Sequence, residues 1–212
     1  VTTKGDVYSW GDGTYGALGH GQHLSLRFPK HVCILNDVQT LAVAYAFVVA
    51  VSRKGQVYTW GNNMYGQLGH GDTLERAQPT KVSLGHADTR AEAIAVGEHH
   101  SAVVTDNGDL YTWGCGQYGV LGNGTTLTNY VPQRQGPLPP LQDVSLAYYH
   151  TVVLTCAGEV YTCGIPQLRL AHNMYEKHAV LTRATAFSYN PSDLVVQIVA
   201  TSSSTNVLTT QG

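Results

Sequence analysis

The chain has 212 residues, of which 43% are hydrophobic and only 12% are charged, and its formal net charge at pH 7 is −2. A chain of this length buries a substantial core, and a net charge so near zero provides no broad basic field for nucleic acid or anionic lipid. No apolar run of about 18 residues occurs, so the sequence predicts no membrane-spanning helix. With no secretory leader, these properties favour an intracellular protein, cytoplasmic or nuclear.

One motif occurs three times and begins a fourth time. The copies are VYSWGDGTYGALGHG from Val7, VYTWGNNMYGQLGHG from Val57, LYTWGCGQYGVLGNG from Leu110, and the short VYTCG from Val160. The glycine before each copy recurs at Gly5, Gly55, Gly108 and Gly158, and Gly212 lies one step further on. Self-similarity at a period of about 50 residues predicts a propeller or a similar array. We therefore predict one domain over 1–212 with repeats at 5–54, 55–107, 108–157 and 158–212, the last of them degenerate.

Each unit reads, in chain order, as a run of short strands. Where the second unit meets the third, residues 96–105 form an apolar-rich strand, Asn107-Gly108 a turn, and residues 109–114 an alternating strand that returns. Asn-Gly is the strongest short signal for a hairpin. A glycine-rich loop, a strand beside a proline and an apolar segment follow. About four strands per unit are typical of a propeller blade, so we predict an all-β fold with about four blades of four antiparallel strands in an incomplete ring.

Glycines recur at fixed places in the loop after the tryptophan. Gly13, Asn63 and Gly116 share one position, which indicates a backbone with positive φ. A second set is Gly19, Gly69 and Gly122. A phosphate-binding loop is the alternative, but no Lys-Ser/Thr pair follows and nothing places these glycines between a strand and a helix. We expect them to serve backbone geometry.

Large aromatic residues also recur, and we expect them to pack between adjacent blades. They are Trp10, Trp60 and Trp113, with Tyr15, Tyr65 and Tyr118. Another position holds Phe47, His100, His150 and Ser204 in the four units. Because Phe and Ser replace histidine there, His100 and His150 are predicted to be semi-buried structural residues that make a hydrogen bond, not catalytic bases.

The sequence predicts no catalytic site, metal site or cofactor. The four cysteines, Cys33, Cys115, Cys156 and Cys163, include no CxxC pair. His20 and His70 share a loop position with Asn123, which favours a common hydrogen-bonding role over metal binding. No pair of carboxylates and no nucleophile beside a base stands out.

The repeated residues resemble the regulator of chromosome condensation repeat family. The shared pattern is W-G-x-[GN]-x-Y-G-x-L-G-[HN]-G together with G-x-x-H-[ST], the latter complete only at residues 97–101. The resemblance implies a propeller, usually of seven blades. It implies a scaffold and does not indicate any particular activity. The chain departs from the family in having four units, with residues 165–180 replacing the last glycine loop. Three interpretations stay open: a fragment of a larger ring, two copies that close a ring by self-association through open blade edges, or four blades that close alone.

The resemblance also points to partner-binding residues. In the family, the two residues that precede the histidine position look out from one face of the propeller and include contacts to partners. Here they are Tyr45-Ala46, Glu98-His99, Tyr148-Tyr149 and Ser202-Ser203, so Tyr45, Glu98, His99, Tyr148 and Tyr149 are candidate contacts. Light-sensing members carry Trp-Arg there, which this chain lacks. The alternative is that Tyr148 and Tyr149 fill the mouth of the central channel.

We expect a noncatalytic scaffold for protein–protein interaction within a larger regulatory protein, and no direct binding to nucleic acid. The alternative implied by the resemblance is a guanine-nucleotide exchange (releasing) factor for a Ran-like small GTPase. That activity resembles the insertion of a β-wedge and acidic loops into the GTPase, and no repeat here carries an obvious wedge. A third, weaker hypothesis is a self-assembling structural component.

Overall fold

The computed structural model describes residues 1–165, 178–185 and 193–211. The strands of these residues are β1 Tyr8–Gly11, β2 Leu26–His31, β3 Val38–Val43, β4 Phe47–Ser52, β5 Val57–Gly61, β6 Arg76–Val82, β7 Ala91–Val96, β8 His100–Thr105, β9 Leu110–Gly114, β10 Asn129–Arg134, β11 Leu141–Leu146, β12 His150–Thr155, β13 Val160–Gly164, β14 His178–Arg183, β15 Val195–Ala200 and β16 Thr205–Thr209. Two single 3₁₀ turns, Thr14–Gly16 and Gln117–Gly119, lie in the loops after β1 and β9.

The strands form antiparallel sheets in chain order. Strands β3 to β6, β7 to β10 and β11 to β14 make three four-stranded blades, and β1–β2 and β15–β16 make two-stranded sheets. By the repeat, β1 and β2 are the third and fourth strands of a blade, while β15 and β16 are the first and second. The all-β propeller with an incomplete ring is therefore confirmed, with the equivalent of a fourth blade divided between the two ends. The replaced loop of the fourth unit, over 165–180, lies almost wholly outside the described residues.

The hairpin turn between the second and third strands explains its invariant glycine. In the second full blade, the Gly108 N–H donates to the Thr105 carbonyl at 2.8 Å, and Gly108 has φ +78°. A Cβ at this position would also lie 2.8 Å from the Leu141 nitrogen, where the next inner strand begins. Glycine is needed both for the backbone conformation and for the close approach of the following blade.

The core lies on and between the inner strands of the blades. All six residues of β4, of β8 and of β12 are buried, while β2 and β10, two of the four outermost strands, are mostly exposed. The innermost strands β3, β7, β11 and β15 pack against one another in succession. Each fully buried Val, Leu or Phe of this core contributes roughly 1.5–3 kcal/mol. The curved array of inner strands therefore supports the loops at both ends of the sheets.

The predicted positive φ at the Gly13 position is wrong. Gly13 has φ −96° and Gly116 has φ −91°, and a Cβ on either would run into the carbonyl of Leu24 or of Leu127. These glycines are required by the packing of the loop on itself. The left-handed residues lie two positions later, at Tyr15 and Tyr118, with φ 59° and 72°.

Asn63 occupies the same position by making the hydrogen bonds that hold its own loop. Its Nδ2 donates to the Asp72 and Leu74 carbonyls at 2.9 and 3.0 Å, and its Oδ1 accepts from the Leu68 N–H at 3.0 Å. The exchange of Gly for Asn thus reflects two ways of closing the loop, by contact of backbone atoms or through an amide side chain.

Two of the repeated tryptophans bond their blade to the glycine-rich loop of the preceding blade. Trp60 Nε1 donates to the Ala17 carbonyl at 2.9 Å, and Trp113 Nε1 donates to the Gln67 carbonyl at 2.8 Å. Both indoles are buried, whereas Trp10 is 57% exposed. The loop glycines make room for these rings: a Cβ on Gly19 would lie 3.0 Å from Trp60 Nε1, and one on Gly69 2.8 Å from Trp113 Nε1. At Gly122 the neighbours are instead Leu181 and, at 3.3 Å, the Sγ atom of Cys163.

Candidate partner-binding face

Two kinds of connection emerge at the same end of every blade. The first joins the first and second strands, over 44–46, 97–99, 147–149 and 201–204, and the second is the glycine-rich loop between the third and fourth strands. In an antiparallel sheet these two connections lie side by side. The family-derived pairs and the repeated loop tyrosines are therefore brought to one face.

On this face five rings form a continuous aromatic cluster, made of Tyr65, His99, Tyr118, Tyr148 and Tyr149. The Tyr65 and His99 rings lie 4.5 Å apart, and the His99 and Tyr148 rings 6.1 Å apart. Tyr148 and Tyr149 meet edge to face at 4.3 Å. Tyr118 lies 6.2 and 5.3 Å from these two rings. Three of the five pairs, His99–Tyr148, Tyr118–Tyr149 and Tyr148–Tyr149, have the edge-to-face arrangement that aromatic pairs prefer.

The cluster crosses both blade boundaries of the three complete blades. Tyr65 comes from the loop after β5 and stacks on His99 of the next blade, and Tyr118 comes from the loop after β9 and contacts Tyr148 and Tyr149 of the blade after that. From the sequence, Tyr65 and Tyr118 were predicted to pack between blades, and their position on this face was not predicted. The signal was present, because a tyrosine recurs in the three glycine-rich loops of this end, at Tyr15, Tyr65 and Tyr118.

The cluster includes one phenol whose pKa is shifted, and it has a carboxylate at one edge. Burial, followed by the neighbouring Tyr118, Tyr149 and Glu98, raises the pKa of the Tyr148 hydroxyl, so the phenol stays a neutral hydrogen-bond donor. Glu98 is exposed, and its Oε1 lies 4.0 Å from His99 Nε2. The surface offers aromatic area, hydroxyl groups and a single carboxylate.

Tyr45, the remaining predicted contact, stands apart from the cluster. Its side chain is 92% exposed, and within the described parts of the chain its ring meets no other aromatic ring. It lies at the same end of its blade, in the connection between β3 and β4. The structure thus brings together Glu98, His99, Tyr148 and Tyr149 and leaves Tyr45 as a separate exposed ring on the same face.

The two repeated histidines lie behind this face and are buried. His100 Nε2 is 3.3 Å from Thr151 Oγ1, and His150 Nε2 is 2.9 Å from Thr205 Oγ1, so each imidazole reaches a hydroxyl of the following blade. Desolvation, with smaller contributions from His99 and His150, lowers the pKa of His100 to about 3. A ring that stays neutral and is sealed from solvent joins blades and has no access to a substrate proton.

The loop histidines are part of the fold as well. His20 Nε2 lies 2.9 Å from Ser9 Oγ, and His70 Nε2 lies 3.0 Å from Thr59 Oγ1. Each hydroxyl also donates to a loop carbonyl, that of Leu18 or of Leu68. Over residues 1–165, 178–185 and 193–211, no three His, Cys, Asp or Glu side chains are grouped as a metal ion would need. The same residues include no helix long and apolar enough to cross a membrane.

Comparison with known proteins identifies the repeat. Residues 4–51, 54–104 and 107–154 match the family described as Regulator of chromosome condensation (RCC1) repeat, and residues 92–120 match a second description of that repeat. The matches confirm the family predicted from the spaced Trp, Tyr and Gly residues.

Among curated relatives, the chain is 34% identical over 188 residues to the Ultraviolet-B receptor UVR8 of Arabidopsis thaliana, covering 86% of this chain and 42% of the receptor. It is 32% identical over 176 residues to the serine/threonine-protein kinase Nek9 of Mus musculus, covering 78% of this chain and 18% of the kinase.

A similar solved structure is Prp20p from Saccharomyces cerevisiae, described with its binding properties to Gsp1p and histones. It superposes with a TM-score of 0.79 at 22% identity over 92% of this chain and 49% of Prp20p. The chain spans less than half the length of each of these three proteins. The structural similarity shows the propeller fold.

Proposed function

Because the chain belongs to the regulator of chromosome condensation repeat family, we propose that it is a noncatalytic scaffold for protein–protein interaction within a larger regulatory protein. The observation that supports this most is the aromatic cluster, which concentrates five rings on one face across three blades. The proposal includes an intracellular location, cytoplasmic or nuclear, and no direct role for nucleic acid.

Tyrosine is among the residue types that contribute most to binding at protein interfaces, because a rigid ring buries a large area and its hydroxyl can still bond. Tyr148 and Tyr149 are only partly buried, although each is held by other rings. Below them, His100 and His150 fix the connections to the neighbouring blades. A partner would therefore meet a surface that is already ordered, which lowers the entropic cost of association.

The matched relatives support a role within a longer protein. The aligned region is 18% of the length of a protein kinase and 42% of the length of a light receptor. The same repeat thus accompanies different activities, as expected of a scaffold whose specificity resides in its loops.

Guanine-nucleotide exchange on a Ran-like small GTPase is the alternative. It rests on the fold shared with Prp20p, whose description names binding to Gsp1p. A nucleotide-release assay with the longest available form of the protein decides between the two. Accelerated release of nucleotide from the GTPase would replace the scaffold proposal, whereas an unchanged rate supports it.

The interaction role is tested by replacing two adjacent rings together, Tyr148→Ala with Tyr149→Ala. We expect the proteins captured by the wild type from a cell extract to bind at least about tenfold more weakly, because Tyr148 contacts three of the other four rings of the cluster. The matched control is Phe28→Ala, which removes a 79% exposed ring on the outer strand β2. Equal loss with both variants, or no loss with the tyrosine variant at an unchanged melting temperature, would contradict the proposal.

A further inference from the structure

The end of the blades opposite the aromatic cluster carries a repeated ion pair. A basic residue of the fourth strand faces the tyrosine of the third strand in every unit, and these residues are His31, Lys81, Arg134 and Arg183. The residue after the turn glycine supplies the partner in three units. Arg134 Nη2 lies 2.7 Å from Asp109 and Arg183 Nη2 lies 2.9 Å from Glu159, whereas His31 Nε2 lies 3.8 Å from Asp6 and forms an ion pair only when its ring is protonated.

The blade of β3 to β6 lacks this pair. Gln56 stands where the other units have a carboxylate, and its Oε1 accepts a hydrogen bond from Tyr58 Oη at 3.0 Å. Within the described part of the chain, Lys81 makes no salt bridge with a carboxylate. One positive charge that is neutralised in its sister blades is therefore left available here.

The same blade also has a longer connection to the next one. Residues 83–90 follow Val82 and lead to β7, and the equivalent segments 33–37 and 136–140, which follow Val32 and Gln135, are three residues shorter. This extra length accounts for the step of 53 residues between Gly55 and Gly108, where the two neighbouring steps are 50.

The longer connection borders a cavity of about 300 Å³, which we call the basic pocket. Its floor is the buried, core-forming set Val57, Val82 and Leu84, so it is rigid. Its rim carries the exposed cationic or titratable side chains Lys54, Lys81, His86 and Arg90, with Gln56, Ser83 and Thr89 as polar neighbours. No carboxylate lines it, since Asp88 of the same connection is outside the lining.

The equivalent place on the next blade serves as an internal comparison. A cavity of about 340 Å³ lies beside β9 and β10, and its charged lining residues are Asp109 and Arg134, which are paired with each other. Two cavities of similar size at the same position in the fold thus differ in charge: one is lined by a cation paired with a carboxylate, and the lining of the pocket beside Gln56 includes cations but no carboxylate.

We propose that the basic pocket binds a phosphate dianion, either free or carried on a phosphorylated protein segment. Three permanent cations, Lys54, Lys81 and Arg90, line a concave, partly apolar site, and Arg90 Nη2 also donates to the Arg53 carbonyl at 3.2 Å. In such a site the Coulomb attraction for a doubly charged anion is less screened than on an open surface. Arginine and lysine are the side chains that bind phosphate oxygens, and the hydroxyl groups of Ser83 and Thr89 add neutral donors. This site lies at the end of the blades away from the aromatic cluster and is independent of the proposed function.

The test is a titration of the amide resonances of the chain with inorganic phosphate at constant ionic strength. We expect saturable shifts confined to residues 54–57 and 81–91. In Gln56→Glu the new carboxylate pairs with Lys81, as in the sister blades, and repels the dianion, so affinity falls about tenfold or more. This variant introduces the residue type that the other blades already carry and therefore keeps the fold. Gln142→Glu, an exposed change of equal charge on β11, is the matched control and binds as the wild type does.

Equal affinity in Gln56→Glu and wild type, or the same shifts with sodium chloride in place of phosphate, would overturn the proposal. A short phosphoserine peptide and its unphosphorylated form separate the two sources. Tighter binding of the phosphoserine peptide than of inorganic phosphate assigns the site to modified proteins. Equal binding of the two assigns it to the free anion.

Discussion

The two seams between the three complete blades are built on one plan with different chemistry. At the first seam, Trp113 Nε1 and Ser101 Oγ both donate to the Gln67 carbonyl, at 2.8 and 2.9 Å. At the second, Cys163 Sγ and Thr151 Oγ1 donate to the Val120 carbonyl, at 3.5 and 2.6 Å. The backbone acceptor is the same, while the large indole of one seam is replaced by a small thiol in the other.

A second position in each seam shows the same change from an aromatic residue to a hydrogen-bonding one. Phe47 stands at the first seam in the position that His100 holds at the second, and it packs in one apolar cluster with Trp113. His100 instead reaches Thr151 Oγ1 at 3.3 Å. Both seams have an apolar cluster, but at this position the first seam has buried aromatic area where the second has a buried hydrogen bond. The two should respond differently to truncation and to pH.

The largest expected effect is at the first seam. Trp113→Ala removes a fully buried indole and one of the two donors to the Gln67 carbonyl, so the free energy of unfolding should fall by about 3–5 kcal/mol. Urea unfolding at pH 7 measures this. Trp10→Ala, at the same repeat position but 57% exposed, is the control and should cost much less. Similar losses in the two variants would show that burial does not set the strength of this seam.

The second seam should be the pH-sensitive one. The pKa of His100 is lowered from 6.5 to about 3, so its contribution is complete above pH 6.5 and is lost as the pH falls towards 3. At pH 5 the wild type should have lost about 2 kcal/mol through this residue. His100→Phe, which imitates Phe47, should abolish that part of the slope. Unfolding of both proteins at pH 7 and pH 5 gives the difference, and parallel losses would contradict the prediction.

A smaller effect is expected from the hydroxyl of the second seam. Thr151→Val keeps the side-chain volume but removes the donor to the Val120 carbonyl and the partner of His100, which should cost about 1–2 kcal/mol. Ser101→Ala is the matched change at the first seam and should cost less, because Trp113 still satisfies the Gln67 carbonyl. Chemical denaturation at pH 7 ranks the two, and the reverse order would show that the hydroxyl is not what holds the second seam.

The smallest effect belongs to the thiol. Cys163→Ala removes a long, weak S–H bond and few atoms, so the loss should stay below about 1 kcal/mol in the same unfolding experiment. Burial raises the pKa of the Cys163 thiol to about 12, whereas Cys33 and Cys156 are exposed. A thiol reagent at pH 8 should modify Cys33 and Cys156 in the folded protein and reach Cys163 only on unfolding. Rapid modification of Cys163 in the native state would contradict its place in the seam.

The period and the hairpin signals were sufficient to predict the blades, because each strand pair is local and its turn is marked by glycine. The predicted contacts Glu98, His99, Tyr148 and Tyr149 could be located by the repeat, but their joining with Tyr65 and Tyr118 could not. Those two tyrosines come from loops of the preceding blades, and that proximity exists only once the blades stack.

Two features of the structure could not be predicted from the sequence, for physical reasons. The exchange at Gly13 and Asn63 looks like left-handed backbone, because both residue types tolerate it, yet the structure uses them to close the loop at negative φ or with an amide. The presence of Gln56, where the other units have an acidic residue, also does not predict a binding site by itself. The site can be inferred only when the strand register places Lys81 beside this position and the longer connection borders a cavity there.

The acceptor at three seams is a main-chain oxygen, and this has a consequence for how such arrays diversify. The residues that supply it are Ala17, Gln67 and Val120, three unrelated side chains. Every amino acid has the same main-chain carbonyl. The donor side chain of one blade therefore bonds a group of the neighbouring blade that a substitution does not alter. Blades can therefore be duplicated, reordered or changed in sequence, and the main-chain acceptor that the next blade binds is still present.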